Sequence, residues 1–353
     1  MKSKFLFTIL VVTALSTIQN SFCQTKFLVQ AKPDGSTTWG YADQTGKMII
    51  NAQYSKCYPF TKDGFAAIYD SYNRIYHFID TTGRTLKTEI TDFKINDGLG
   101  FDIEGFSNGL VAIKANGKWG YLNTSGKLAI PLKYDEASEF NSGVAVTKIS
   151  KKFIVINTSG EEFEVTEPTI IEVKHFSENL APYRSISKSF GFIGKDGKIA
   201  ILAQYESVGY FVNGLAWAKK NGFIGFINPN GEWVIKPQFT AAKSFDAVSG
   251  LARIKIGETW AYTNIAGELT YVKDTEHWGD FSDGLAEGKR FLAKGFYNAK
   301  GEWVIMPQFE GTREFKNGFA AVKRNGKWGM INTKGEWVIQ PTFATLRDLE
   351  LIK

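Results

Sequence analysis

The chain has 353 residues, with 42 Lys or Arg against 36 Asp or Glu, a net charge of +6 and a mean hydropathy of −0.18. Charges of both signs are mixed along its length with no dense basic run, which argues against nucleic acid as a partner and makes the basic pI a statement about solubility. Two cysteines cannot build a disulfide framework, and no segment beyond the N-terminus is apolar enough to cross a bilayer.

The chain opens on an export pattern. Lys2 and Lys4 precede an apolar run from Phe5 to Leu15, too short to span a membrane, and polar residues follow. Ser21 and Cys23 are small enough for a cleavage site before Gln24, so residues 1–23 read as a signal peptide. Periplasmic or extracellular localisation follows. Lipid anchoring at Cys23 is the alternative, disfavoured by the bulky Phe22. Removing Lys2 and Lys4 lowers the net charge from +6 to +4 and leaves Cys57 alone.

From there to residue 353 the chain repeats. An aromatic-glycine pair or a relative of it places its second residue at Gly40, His77, Gly120, Ile154, Gly191, Gly225, Ala261, Gly295 and Gly329. A period of 34 to 43 residues means one supersecondary unit stacked many times. Six residues beyond each pair position stands a glycine, from Gly46 to Gly335, the expected left-handed hinge between two strands. A Gly-apolar-small landmark, such as Gly318-Phe319-Ala320, precedes most pairs; Asn179 replaces its glycine once, as a residue that also tolerates the left-handed region.

The last unit shows the plan best. Phe319 to Arg324 is an extended run ending at Asn325-Gly326, a strong two-residue hairpin signal. Lys327 to Asn332 follows, then Thr333-Lys334-Gly335, then Glu336 to Gln340 stopping at Pro341. Each unit is therefore a three-stranded antiparallel meander. The fold class is all-β, a tandem array of about nine such units over residues 24–353. An open β-solenoid is the first arrangement, a closed β-propeller-like ring the second. The segment Leu349 to Lys353 resembles a first strand without its unit, and would either cap an open array or pair back to close it. Thr88 to Glu104 is an insertion expected as a surface loop.

Alternation puts Trp119 and Tyr121 on one face of a second strand and Gly120 on the other, which suggests that the pair glycine leaves room for a neighbouring ring. Ala216, Ala218, Ala252 and Ile254 mark the buried face of two first strands. Trp217 and Arg253 lie on the opposite face, expected to be the more exposed one.

The motifs Lys118-Trp119-Gly120-Tyr121 and Lys327-Trp328-Gly329-Met330, with Gly-Glu-Trp-Val-Ile at 231–235, 301–305 and 335–339, resemble the bacterial WG-repeat (KWG-repeat) proteins. That resemblance spans residues 27 to 353. It implies an all-β repeat scaffold with interaction roles and no catalytic residues.

No residue pattern supports catalysis, a cofactor or a metal site. His77, His175 and His277 lack a second ligand at short spacing, and Cys57 has no histidine in its own unit. The acidic stretch Asp274, Glu276, Asp280, Asp283 and Glu287 is the one cluster to weigh for glycosidase acids or calcium, and the turn before Gly284 already accounts for Asp283. The ligand-binding candidates are aromatic. Trp233, Trp303 and Trp337 share one third-strand position, and Trp217 sits on a first strand. Exposed, such rings would stack on a surface glycan or anchor a protein partner; buried, they are core between units. The sequence thus reads as a non-catalytic exported scaffold for protein–protein interaction, with carbohydrate binding second and a glycan-processing enzyme third.

Overall fold

The computed structural model describes residues 26–95 and 105–352. The leader with its cleavage site and Cys23 lies outside the described residues, as do positions 96–104 of the insertion. Among the described residues every regular element is a β-strand.

The meander is present in each unit. In the last, Phe319–Arg324 pairs antiparallel with Lys327–Asn332 through the Asn325-Gly326 turn, where both residues have positive φ. The second strand then pairs with the one beginning at Trp337. All nine hinge glycines, Gly46 through Gly335, have φ between 74° and 86°. In the landmark turns the left-handed residue also includes the one before glycine, for example Asn213, Asp283 and Asn317. At Asn179 the expectation is corrected: Glu178 takes the positive φ of 51° there.

The strand count is also corrected. Five of the sheets have four strands, because a short lead-in strand, such as Ser207–Val208, adds to the first strand of each meander. It was hidden because four of these lead-ins are only two residues long, although His277–Ser282 has six and Lys56–Phe60 five. Unit three obtains its lead-in from the insertion: Phe93 and Ile95 are buried in the core, and Lys94 bridges Lys114. That part is structural, not a surface loop.

The third strand explains the paired glycine. It bulges against the second strand, so that Met330 faces Ile339 while Trp328 faces Phe343. The bulge carries its backbone across the glycine's face. A Cβ at Gly40, Gly120, Gly191, Gly225, Gly295 or Gly329 would stand inside 3.0 Å of the carbonyl oxygen of Ile50, Ile130, Ile201, Ile235, Ile305 or Ile339 respectively. The glycine makes room for a strand's backbone and not, as expected, mainly for a ring. Where the glycine is absent the third strand shrinks. It has seven residues in units one, three, five, six and eight, three in unit four (Ile154) and two in unit seven (Ala261). In unit two (His77) a single bridge, Ile79 to Thr85, remains.

Nine hydrophobic clusters hold the array, each between one unit and the next. Both sheet faces are consumed. Ala216 and Ala218 pack toward unit five, while Trp217 on the opposite face packs toward unit seven, so the face expected to be exposed is an interface. The ninth cluster joins Met330, Ile339 and Phe343 of the last unit to Val29, Ala31 and Ala42 of the first. Trp337–Ile352 is one continuous strand. Its first part pairs with Lys327–Asn332, and its second pairs with Lys26–Pro33. The C-terminal segment thus pairs back onto the start of the array.

Replacing Gly225 with Ala should lower stability in urea melts by about 1–3 kcal/mol, the usual cost of forcing atoms into a packed site. Ala261→Gly, where no third-strand backbone needs the space, should cost only the roughly 0.5–1 kcal/mol of added chain entropy.

Candidate interaction surface

Because both sheet faces are buried, the surfaces left for binding are strand ends and the clefts between lead-in strands. The sequence-expected rings fall differently among these. Trp233, Trp303 and Trp337 are half-buried, and each packs against the cluster shared with the preceding unit. Their rings meet core aromatics edge-on: Trp233 meets Tyr205 at 5.6 Å and 89°, Trp303 meets Tyr297 at 5.5 Å and 87°, and Trp337 meets Phe309 at 6.0 Å and 87°. Arg324 caps Trp337 at 5.5 Å. The fold does not bring the three together, since they stand in units six, eight and nine.

Trp217 is placed otherwise. Its ring lies on the backbone of Gly209, where a Cβ would collide with the indole. It lines a cleft of about 500 Å³ with Lys174, Phe190, Tyr210, Lys243 and Ser244. These residues come from units five, six and seven, so no single repeat contains the site. Tyr210 stacks on His175 at 4.1 Å between ring centres, and its hydroxyl stands 3.1 Å from His175 Nδ1. Burial lowers the His175 pKa and the neighbouring Lys174 charge adds to it, so the imidazole is neutral at physiological pH. Burial likewise raises Tyr210 to about 12, leaving the phenol protonated. The cleft is a neutral aromatic wall flanked by two lysines, suited to an acidic or aromatic side chain. Sequence reasoning singled out Trp217, weighed His175 only as a metal ligand and missed Tyr210; the last two occupy the same lead-in position in successive units. Aligning the residues before Phe176 and Phe211 was the signal available.

The acidic stretch of unit eight is structural. Asp283 has φ 50° and accepts the Gly318 amide at 2.7 Å, tying one unit's turn to the next. Asp246 does the same to Gly284, and Asn108 to Gly143. Asp280 pairs with Arg253 at 2.8 Å, Glu287 with Lys294 at 2.9 Å, and Glu276 accepts the Phe291 amide. Among the described residues no group of His, Cys, Asp and Glu side chains is placed to hold a metal. Cys57 is buried, and burial raises its thiol pKa against the pull of Gln30 and Tyr41.

A profile of the WG containing repeat matches residues 39–69, 102–119, 119–153, 190–222, 224–260, 295–328 and 328–348. No curated protein matches. Among solved structures, a crystal structure of "the eukaryotic initiation factor" is similar with a TM-score of 0.59 at 11% identity, covering 92% of this chain and 97% of that one. BamB from Moraxella catarrhalis follows at 0.42 and 11%, covering 76% and 92%. The WD40 β-propeller domain of Doa1 aligns at 0.29 and 11%, covering 84% and 93%. At such identities the first likeness is one of fold.

Trp303→Ala should destabilise the protein by about 3 kcal/mol in urea melts, the low end for a large ring because the indole is half-buried. A chain starting at Gln24 should leave Cys57 unreactive toward a thiol reagent until denaturant unfolds it.

Proposed function

This chain belongs to the WG containing repeat family, and we propose that it is a non-catalytic, exported scaffold that binds a protein partner through the Trp217 cleft. The observation that carries this reading is the cleft itself, where Trp217, Tyr210, Lys174 and Lys243 meet from three units, with the Lys174 ammonium over the Phe190 ring and that of Lys243 4.0 Å from Asp280. An aromatic anchor site with cations at its edge is the chemistry of a protein hot spot. Protein is preferred to a glycan row because Trp233, Trp303 and Trp337 each set a ring edge-on against a core cluster.

The array is proposed to be a closed, nine-unit propeller-like ring in place of an open solenoid. Support comes from the strand pairing between Lys26–Pro33 and the C-terminal segment, and from the ninth core cluster. The turn relay also crosses the junction, with Asn317 Nδ2 donating to the Leu349 carbonyl at 2.9 Å. Export rests on the leader sequence.

Two experiments test these readings. A photo-crosslinking residue at position 217 should give a discrete protein adduct in the producing cell, and one at Lys334, in a hinge turn of unit nine away from the cleft, should not. Equal labelling, or none at 217, would sink the cleft assignment. Truncation after Phe343 strips the partner from the first strand. In a ring it should lower the melting point of the whole molecule, whereas an open array would lose only its last strand locally.

A further inference from the structure

We infer that one rim of the array, built from the hairpin turns between first and second strands, docks on an anionic lipid surface. The inference depends neither on the Trp217 cleft nor on the protein-partner reading. In an antiparallel meander these hairpins all emerge at one end of the strands. The landmark turns and the hinge-glycine turns emerge at the other.

Charge separates the two ends. The nine hairpin segments are 32–39, 69–76, 114–119, 148–153, 184–190, 219–224, 255–260, 289–294 and 323–328. Together they hold 18 Lys or Arg and three acids, Asp34, Asp70 and Glu258. Every hairpin has at least one cation, and units four, eight and nine have three. The crossovers at the same end add acids, but Asp135, Glu206, Glu276 and Glu310 accept the hairpin amides of Ser150, Gly222, Phe291 and Gly326. These carboxylates cap the turns and keep their charge, and the 18 hairpin cations outnumber them together with the three hairpin acids. At the opposite end the hinge turns 43–47, 80–84, 123–127, 157–161, 194–198, 228–232, 264–268, 298–302 and 332–336 hold eight acids against seven Lys or Arg, close to neutral.

The cations are held in place by the repeat. Lys32, Lys114 and Lys148 lie over the ring of Trp39, Trp119 and Phe153 on the adjacent strand, at 5.1, 5.7 and 5.1 Å, with half-exposed side chains. In each of these the ammonium group itself lies over the ring, a cation–π contact that fixes its place at the hairpin.

The same rim exposes large apolar residues at its tips. Tyr72 is 92% exposed, Leu292 90% and Phe291 75%, with Ile186 and Phe223 at the tips of units five and six. Phe291 is the telling residue. It occupies the turn position of Asn325 and adopts φ 55°, a conformation costly for an aromatic residue, in order to stand in solvent. Beside it a groove continues the apolar surface along Met306, Pro307 and Phe309. Nothing in packing explains a strained phenylalanine and an exposed leucine where other units use Asn-Gly. Apolar tips set among cations are the chemistry of a protein that rests in the headgroup region of an anionic bilayer, with rings and leucine below the phosphates and lysines level with them.

The test is co-sedimentation of a chain starting at Gln24 with lipid vesicles; all nine core clusters lie between Leu28 and Ile352, so this chain keeps them. Vesicles of phosphatidylcholine with about 30 mol % phosphatidylglycerol should bind it at least roughly tenfold more tightly than phosphatidylcholine alone. The double variant Phe291→Ser, Leu292→Ser should lose about tenfold in binding. The variant Lys151→Glu, Lys152→Glu, Lys188→Glu should lose the dependence on phosphatidylglycerol. Lys300→Glu, Lys334→Glu at the opposite end should bind as the parent does, and each variant's melting curve must match the parent's. Equal binding to both vesicles, or equal losses from variants at the two ends, would overturn the proposal. So would binding to soluble dextran sulfate without vesicle binding, which would reassign the rim to anionic polysaccharide.

Discussion

The contact on which the architecture rests is that of a backbone carbonyl with a glycine's bare face. At six of nine units the third strand humps over the second, and the isoleucine carbonyl at its crest comes down where a Cβ would stand. The hump needs a bulge, and the bulge turns the chain from the far side of one meander toward the lead-in of the next. One missing methyl group therefore goes with the full length of the third strand. Units two, four and seven show the converse, with a side chain in that space and a third strand reduced to a fragment.

That route has a consequence for stability. Each unit offers two faces and buries both, one against its predecessor and one against its successor. The aromatic residues of the third strand, Trp233, Trp303 and Trp337, lean back onto the earlier unit and seal the seam. Turn side chains repeat the linkage at one rim, each accepting an amide from the next unit's turn. The array thus holds together by nearest-neighbour terms, and no unit has a core of its own. The seam between the last and first units is built from the same parts, with a continuous C-terminal strand in place of a separate lead-in.

With sheet faces spent on cohesion, recognition is left to edges. The cleft around Trp217, confined to units five to seven, meets the hairpin rim at Phe190 but differs from it in chemistry. The first is a shared aromatic wall with two lysines, assembled from lead-in strands. The second is a periodic set of cations, several with the charged group over a ring, interrupted by apolar tips. A scaffold with two independent surfaces can hold one partner while resting on another, and repetition lets either surface vary unit by unit without disturbing the seams.

The sequence by itself determined the period, the antiparallel meander, the hinge turns and the hairpin turns, because these are local. A glycine in the left-handed region or an Asn-Gly pair fixes its conformation whatever surrounds it. It also contained the lopsided charge of the hairpins, legible once the units are aligned. Tertiary structure decided what each face meets. Trp217 sits opposite a buried alternation and so looks exposed, but that face belongs to the next unit. In four units the lead-in strand pairs over only two residues and leaves no periodic trace, and Phe93 with Ile95 joins the core from within an insertion. The role of the paired glycine was beyond local reading, since the atom that excludes a side chain there comes from a strand ten residues later. The return of Leu349 to the first strand joins residues more than 300 positions apart, and only the packing of successive units brings those ends together.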